Sequence, residues 1–215
     1  MHSDKYGYTL IEILVVVAIV FILMAVIMPA VNTVQKKGLQ ATCMSNMKQI
    51  GSALDLYAMD YDYYYPKIRN NTATNYRWDV FLARNGYVTG VNENITAGNA
   101  PGNLFICPLH LKMAKREGSS VIRSYGMNAR IRELGGTLSE LVANDINVKK
   151  IWAEKPYSDV LLIAESQNDQ ETISDVSFFA NVVWTRHGER SNYLFADGHV
   201  EFLLPSETTN SFEWE

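Results

Sequence analysis

Glu12 is the one charge in an apolar run that continues to Met28, and residues 13–28 carry neither charge nor a hydrogen-bonding side chain. A carboxylate at a bilayer centre costs roughly 2.5–3.5 kcal/mol, less near an end, so one kept there needs a cation and a task. Other groups capable of chemistry are spread along the chain. Cys43 and Cys107 could form one bridge in an exported domain or remain two buried thiols. They are too few for a disulfide scaffold, and no Cys-x-x-Cys pair marks a metal knuckle. His187, Asp197 and His199 offer two imidazoles and a carboxylate, a donor set that suits zinc. Turn geometry already explains Asp197, so the expectation is a structural turn and no metal site. His110 follows Cys107 closely, but a Cys/His nucleophile would need a third partner that the sequence does not show. No enzymatic activity is expected.

The elements that must position these groups follow from periodicity and punctuation. Residues 8–28 are long enough to cross most of a bilayer as a helix. Pro29 should kink the helix that continues beyond it. Cys43, Met47, Ile50, Leu54 and Tyr57 recur at steps of four and three, an amphipathic stripe that carries the helix to about Met59. Gly38 is a weak point where the helix could loosen, and Gly51 could admit a close neighbour. Tyr61, Tyr63, Tyr64 and Tyr65 cluster before Pro66, where the helix ends. Residues 76–85 read as a short helix stopped by Asn85-Gly86, 104–108 as a short buried strand, 111–117 as a helical turn and 124–128 as an extended piece. Residues 159–165 are a buried strand by length and branching. Asp197-Gly198 separates two strand patterns and reads as a two-residue type I′ hairpin turn. Residues 70–75 and 90–102 read as loops, and 138–142 and 148–152 are ambiguous.

The 215 residues carry a net charge of −4, which suits one membrane segment plus one domain and argues against nucleic acid as a partner. Glu12 within the apolar run, and the lack of a small-x-small site near Met28–Ala30, argue against an ordinary secretory signal. Lys5 precedes the span while Lys36, Lys37 and Lys48 follow it, so charge counting does not orient the chain.

Gly7-Tyr8-Thr9-Leu10-Ile11-Glu12 and the apolar run resemble the processing signal of type IV pilins and type II secretion pseudopilins. The resemblance implies cleavage by a prepilin peptidase between Gly7 and Tyr8, N-methylation of Tyr8, and pairing of Glu12 with the N-terminal amine of a neighbouring subunit. Tyr8 stands where phenylalanine or methionine is commoner. Residues 43–57 and His187, nine residues, then Asp197-Gly198, look like a pilin-like group of Planctomycetes- and Lentisphaerae-type bacteria. Cys107-Pro108 and residues 124–128 look like that group too. The implied fold is α+β and pilin-like, a long N-terminal helix packed on a small antiparallel-sheet head.

The resulting division is a leader at 1–7, a transmembrane helix at 8–28, its amphipathic continuation at 29–60, a head at 61–205 and a tail at 206–215. The implied function is a structural subunit of a pseudopilus or pilus-like filament. It would be anchored in the inner membrane with its head outside the cytoplasm. Its partners would be the peptidase, other subunits and membrane lipid. No cofactor is expected. Pseudopilins often carry calcium in a C-terminal loop, and Asp60, Asp62 or Asp197 could supply oxygen ligands, but no cluster here matches such a loop. The alternative is a membrane-anchored binding or metal-dependent domain that borrows the signal.

Overall fold

The computed structural model describes residues 8–66, 78–89, 103–117, 123–128, 146–147, 156–166, 172–173 and 184–208. The readings at 70–75, 90–102, 138–142 and 148–152 lie outside them, as do Gly7 and the rest of the leader. The chain divides into two compact units, Met1–Gly38 and Leu39–Glu215. Helix α1, Leu10–Asp60, contributes to both.

In the first unit, residues 8–38 are all exposed. Apolar side chains cover residues 13–28 all round, the pattern of a segment made for lipid or for other helices. It is the one helix among the described residues long and apolar enough to cross a membrane. Residues 10–28 rise about 28 Å, close to the thickness of a hydrocarbon core. Pro29 lies inside α1, and the helix continues through it. Thr33 Oγ1 donates to the Pro29 carbonyl at 3.3 Å.

In the second unit, the expected stripe is buried. Cys43, Met47, Ile50 and Leu54 are fully inaccessible and Tyr57 nearly so. Gly51, Ala53 and Ala58 widen the stripe. Tyr63 N donates to the Ala58 carbonyl at 2.7 Å, the six-to-one bond of a Schellman stop. Asp62 takes the left-handed position at φ 50°, and Tyr63 follows at φ 65°. Strand β1, Tyr64–Tyr65, then pairs antiparallel with β3, Ile146–Asn147. The tyrosine cluster thus splits: Tyr61 stacks on Tyr57 at 4.3 Å between ring centres, and Tyr65 enters the core.

Helix α2, Trp78–Arg84, stops at Asn85-Gly86 as expected, with Gly86 at φ 77°. The strand expected at residues 104–108 does not form. Asn103 Oδ1 accepts from Phe105 N at 3.0 Å and the Asn103 carbonyl from Ile106 N at 3.1 Å, a turn that buries Leu104, Phe105 and Ile106. Pro108 is the first residue of helix α3, Pro108–Glu117, where its missing N–H costs nothing.

The main sheet has β2 (Tyr125–Asn128), β4 (Leu161–Glu165), β5 (Thr172–Ile173), β6 (Ser191–Phe195) and β7 (Val200–Leu203) in the order β5-β2-β4-β6-β7. The four strands from β2 to β7 run antiparallel to their neighbours, and the two-residue β5 pairs parallel on the edge. This is the α+β, pilin-like layout that the sequence implied. Ile163 of β4 pairs with Leu194 of β6, and side chains two apart share a face. Leu194 and Asn192, with Ile163 and Glu165, therefore face the helix. Gly51 permits the contact, because a Cβ there would lie 3.1 Å from Leu194 Cδ1.

The β6–β7 hairpin forms, with a different turn. Gly198 N donates to the Phe195 carbonyl, and Phe195 N to the His199 carbonyl, both at 3.0 Å. The loop is therefore three residues, a type I turn closed by Gly198 at φ 83°. Asp197 has no positive φ. Its carboxylate accepts from His199 N at 3.1 Å, so a side chain does the work expected of a left-handed backbone. After β7, Pro205–Glu207 form a 3-10 turn, and Glu207 Oε2 meets Arg190 Nη1 at 3.1 Å.

Candidate functional site

At the N-terminus, Thr9 is the N-cap of α1 and Glu12 its third helical residue. Thr9 N and Oγ1 donate to Glu12 Oε2 at 2.8 and 2.7 Å, and Glu12 N donates back to Thr9 Oγ1 at 3.3 Å. This reciprocal capping box satisfies two of the free donors that begin the helix. Glu12 thus has a local task that the sequence reading omitted, although the Thr-x-x-Glu spacing was there to be read. Tyr8, immediately before the cap, is exposed. Glu12 is the one carboxylate of the exposed apolar stretch 10–28 and lies at its amino end, four residues from Tyr8.

Residues 2–28 match the prokaryotic N-terminal methylation motif. No curated protein and no solved structure matches the chain. The matched motif carries a prepilin-type signal, which implies processing by a prepilin peptidase, and with the apolar helix it fits a membrane-anchored protein. The motif spans the expected cleavage point, the expected methylation residue Tyr8, and Glu12.

The second unit brings together residues that the sequence left apart. Cys43 on α1 and Cys107 at the start of α3 are joined by a disulfide with Cα atoms 5.2 Å apart. His187 ends a 3-10 turn, Trp184–His187, just before β6. Its Nε2 donates to Glu165 Oε1 at 2.8 Å and lies 3.6 Å from Cys107 Sγ. The His187 and Glu165 side chains are 1% and 0% exposed. Asn192 fixes the carboxylate with N and Nδ2, each 3.2 Å from a Glu165 oxygen. Arg186 is buried beside this group and donates through Nη2 to the Ser166 carbonyl at 2.8 Å. Burial pulls its guanidinium below the ordinary value, and the Glu165 charge opposes that pull.

The other expected groups go elsewhere. Asp197 partners His199 through both backbone and ring, and the His199 ring stacks on Phe195. His187 is turned to Glu165, away from the Asp197–His199 pair, so the three residues weighed as a zinc set do not come together. His110 Nδ1 lies 2.8 Å from Ser124 Oγ. The imidazole beside Cys107 is that of His187, so the Cys/His pair imagined at Cys107–His110 is replaced. Burial, helped by the Arg186 charge, pulls His110 down to about 3. Asp60 accepts from the Tyr87 hydroxyl at 2.8 Å, and Asp62 shapes the helix stop. Glu165 was missed as a functional residue. A carboxylate ending the otherwise apolar, fully buried strand Leu-Leu-Ile-Ala-Glu was the available signal, since a buried charge requires partners.

Proposed function

We propose that this chain is a pilin-like or pseudopilin structural subunit. It is cleaved between Gly7 and Tyr8, methylated at the Tyr8 amine, and assembled into a type II secretion pseudopilus or a type IV pilus-like filament. It works by packing and is not an enzyme. The observation that carries this reading is the methylation motif on a helix whose apolar residues 10–28 are all exposed. Lipid tails are as apolar as these side chains, so burial alone does not favour helix association over lipid. A charge pair does. In the single chain Glu12 is held by Thr9 of its own helix. In the filament, a neighbour's Tyr8 ammonium becomes its partner, and the exchange of a neutral donor for a cation favours assembly in a low dielectric. The head faces away from the cytoplasm, where a Cys43–Cys107 bridge is stable.

The test is Glu12→Ala against wild type in a cell with a working assembly system. Sheared filaments are collected and the membrane-bound pool is measured. Wild-type protein in the filament fraction, with Glu12→Ala processed but retained in the membrane, is the expected result. Wild-type protein absent from every filament fraction would sink the proposal.

A further inference from the structure

We propose that Cys43, Cys107, Glu165 and His187 form a closed zinc site in the reduced protein, and that the disulfide and the metal are alternative closures of one core. The four donor atoms all lie within 4.8 Å of one another and belong to four separate elements. Zinc bonds of about 2.0–2.3 Å in a tetrahedron place donors roughly 3.3–3.8 Å apart. Cys107 Sγ and His187 Nε2, at 3.6 Å, already have that spacing. Breaking the bridge frees the two sulfurs to move apart to it. His187 Nε2, which faces both the sulfur and the carboxylate, opens from 2.8 Å on Glu165 by roughly half an ångström.

The donor chemistry selects the ion. Two thiolates, an imidazole and a carboxylate suit zinc and exclude calcium and magnesium, which take oxygen ligands. Supporting contacts are present. Asn192 holds Glu165 in place with two hydrogen bonds. The charges also balance: a divalent ion with two thiolates and one carboxylate leaves one net negative charge, and the Arg186 guanidinium beside Glu165 offsets it. All four positions are filled by protein and the side chains are buried, so the centre is structural, with no open position for catalysis.

The interconversion is balanced as follows. A dithiol or phosphine reductant delivers two electrons to the disulfide and is itself oxidised, and two protons complete the thiols. Zinc then displaces both thiol protons, and the His187 proton moves from Nε2 to Nδ1. The site lies wholly within the Leu39–Glu215 unit, so it stands or falls independently of filament assembly.

The full chain in non-ionic detergent tests it, reduced with a phosphine in the presence of cobalt, with zinc counted separately by elemental analysis after gel filtration. The expected result is one metal per reduced chain, with a thiolate-to-cobalt charge-transfer band and the intense visible bands of tetrahedral cobalt. The oxidised chain should retain none. His187→Gln and Cys43→Ser should each weaken retention at least tenfold, and His199→Ala should leave it unchanged. Variants that fail to fold do not protect the idea, because the wild-type comparison needs no substitution. No metal on the reduced wild type overturns it, as does an unchanged cobalt spectrum in folded His187→Gln.

Discussion

The Cys43–Cys107 bridge closes a loop with a sequence separation of 64, and its removal should be costly. Loop-closure entropy for about 64 residues amounts to ~14 cal/mol/K, or about 4 kcal/mol at room temperature. The cleanest perturbation is reduction with a phosphine in the presence of a metal chelator, which leaves side-chain volumes intact and keeps zinc away. Unfolding of the chain in detergent by urea can be followed through tryptophan emission. Trp78 is fully buried and meets Phe105 edge-on at 5.5 Å, two residues from Cys107. With a slope of about 2 kcal/mol per molar urea, the midpoint should fall by about 2 M. A fall below about 0.5 M with an unchanged slope would refute the reasoning. It would mean that residues 43–107 stay together in the unfolded chain without the bridge, or that the bridge does not form.

Four further outcomes follow from the geometry. His110 has its folded value depressed to about 3 against an ordinary 6.5, so the unfolded chain takes up the proton first as pH falls. Stability is fully present above 6.5 and declines through that window, by roughly 3 kcal/mol between pH 7 and pH 4. His110→Gln should remove this part of the pH dependence, and parallel pH profiles in both proteins would contradict it. Gly51→Val should cost about 1–3 kcal/mol, because Leu194 Cδ1 and Cδ2 stand 3.1 and 3.3 Å from the new Cβ. Gly38→Ala has open space and should gain up to about 1 kcal/mol, both read from urea midpoints. Asp62→Gly should raise stability by roughly 0.5–1 kcal/mol by relieving a left-handed non-glycine residue at φ 50°, and a lower midpoint would argue against it.

What was legible in the sequence is what depends on local pattern. The apolar run and the Cys43-to-Tyr57 stripe define α1 because side chains three and four apart must share a face. The strand before Glu165 and the β6–β7 hairpin were readable for similar reasons. The turn type was not, because Asp197 can shape a turn through its carboxylate as well as through its backbone. Residues 104–108 were misread as a strand, since a short apolar run does not distinguish strand from buried turn, and Pro108 as a helix start was the overlooked cue. The two-residue strands β1, β3 and β5 have too little sequence to carry a period. The buried cluster was illegible for a different reason. His187 and Glu165 are 22 residues apart, and only the order β4-β6 with the turn at residues 184–187 brings them onto Cys107. In the N-terminal site, Glu12 was seen as a charge in search of a cation, while its role in the capping box went unread.

The central claim concerns the first residues, and mass spectrometry of the N-terminal peptide from membranes of a cell with an active prepilin peptidase tests it most directly. The account predicts a chain that begins at Tyr8 and carries one methyl group on its amine. An intact Met1, or a cut near Ala30, would contradict it and leave a simple anchored or secreted domain.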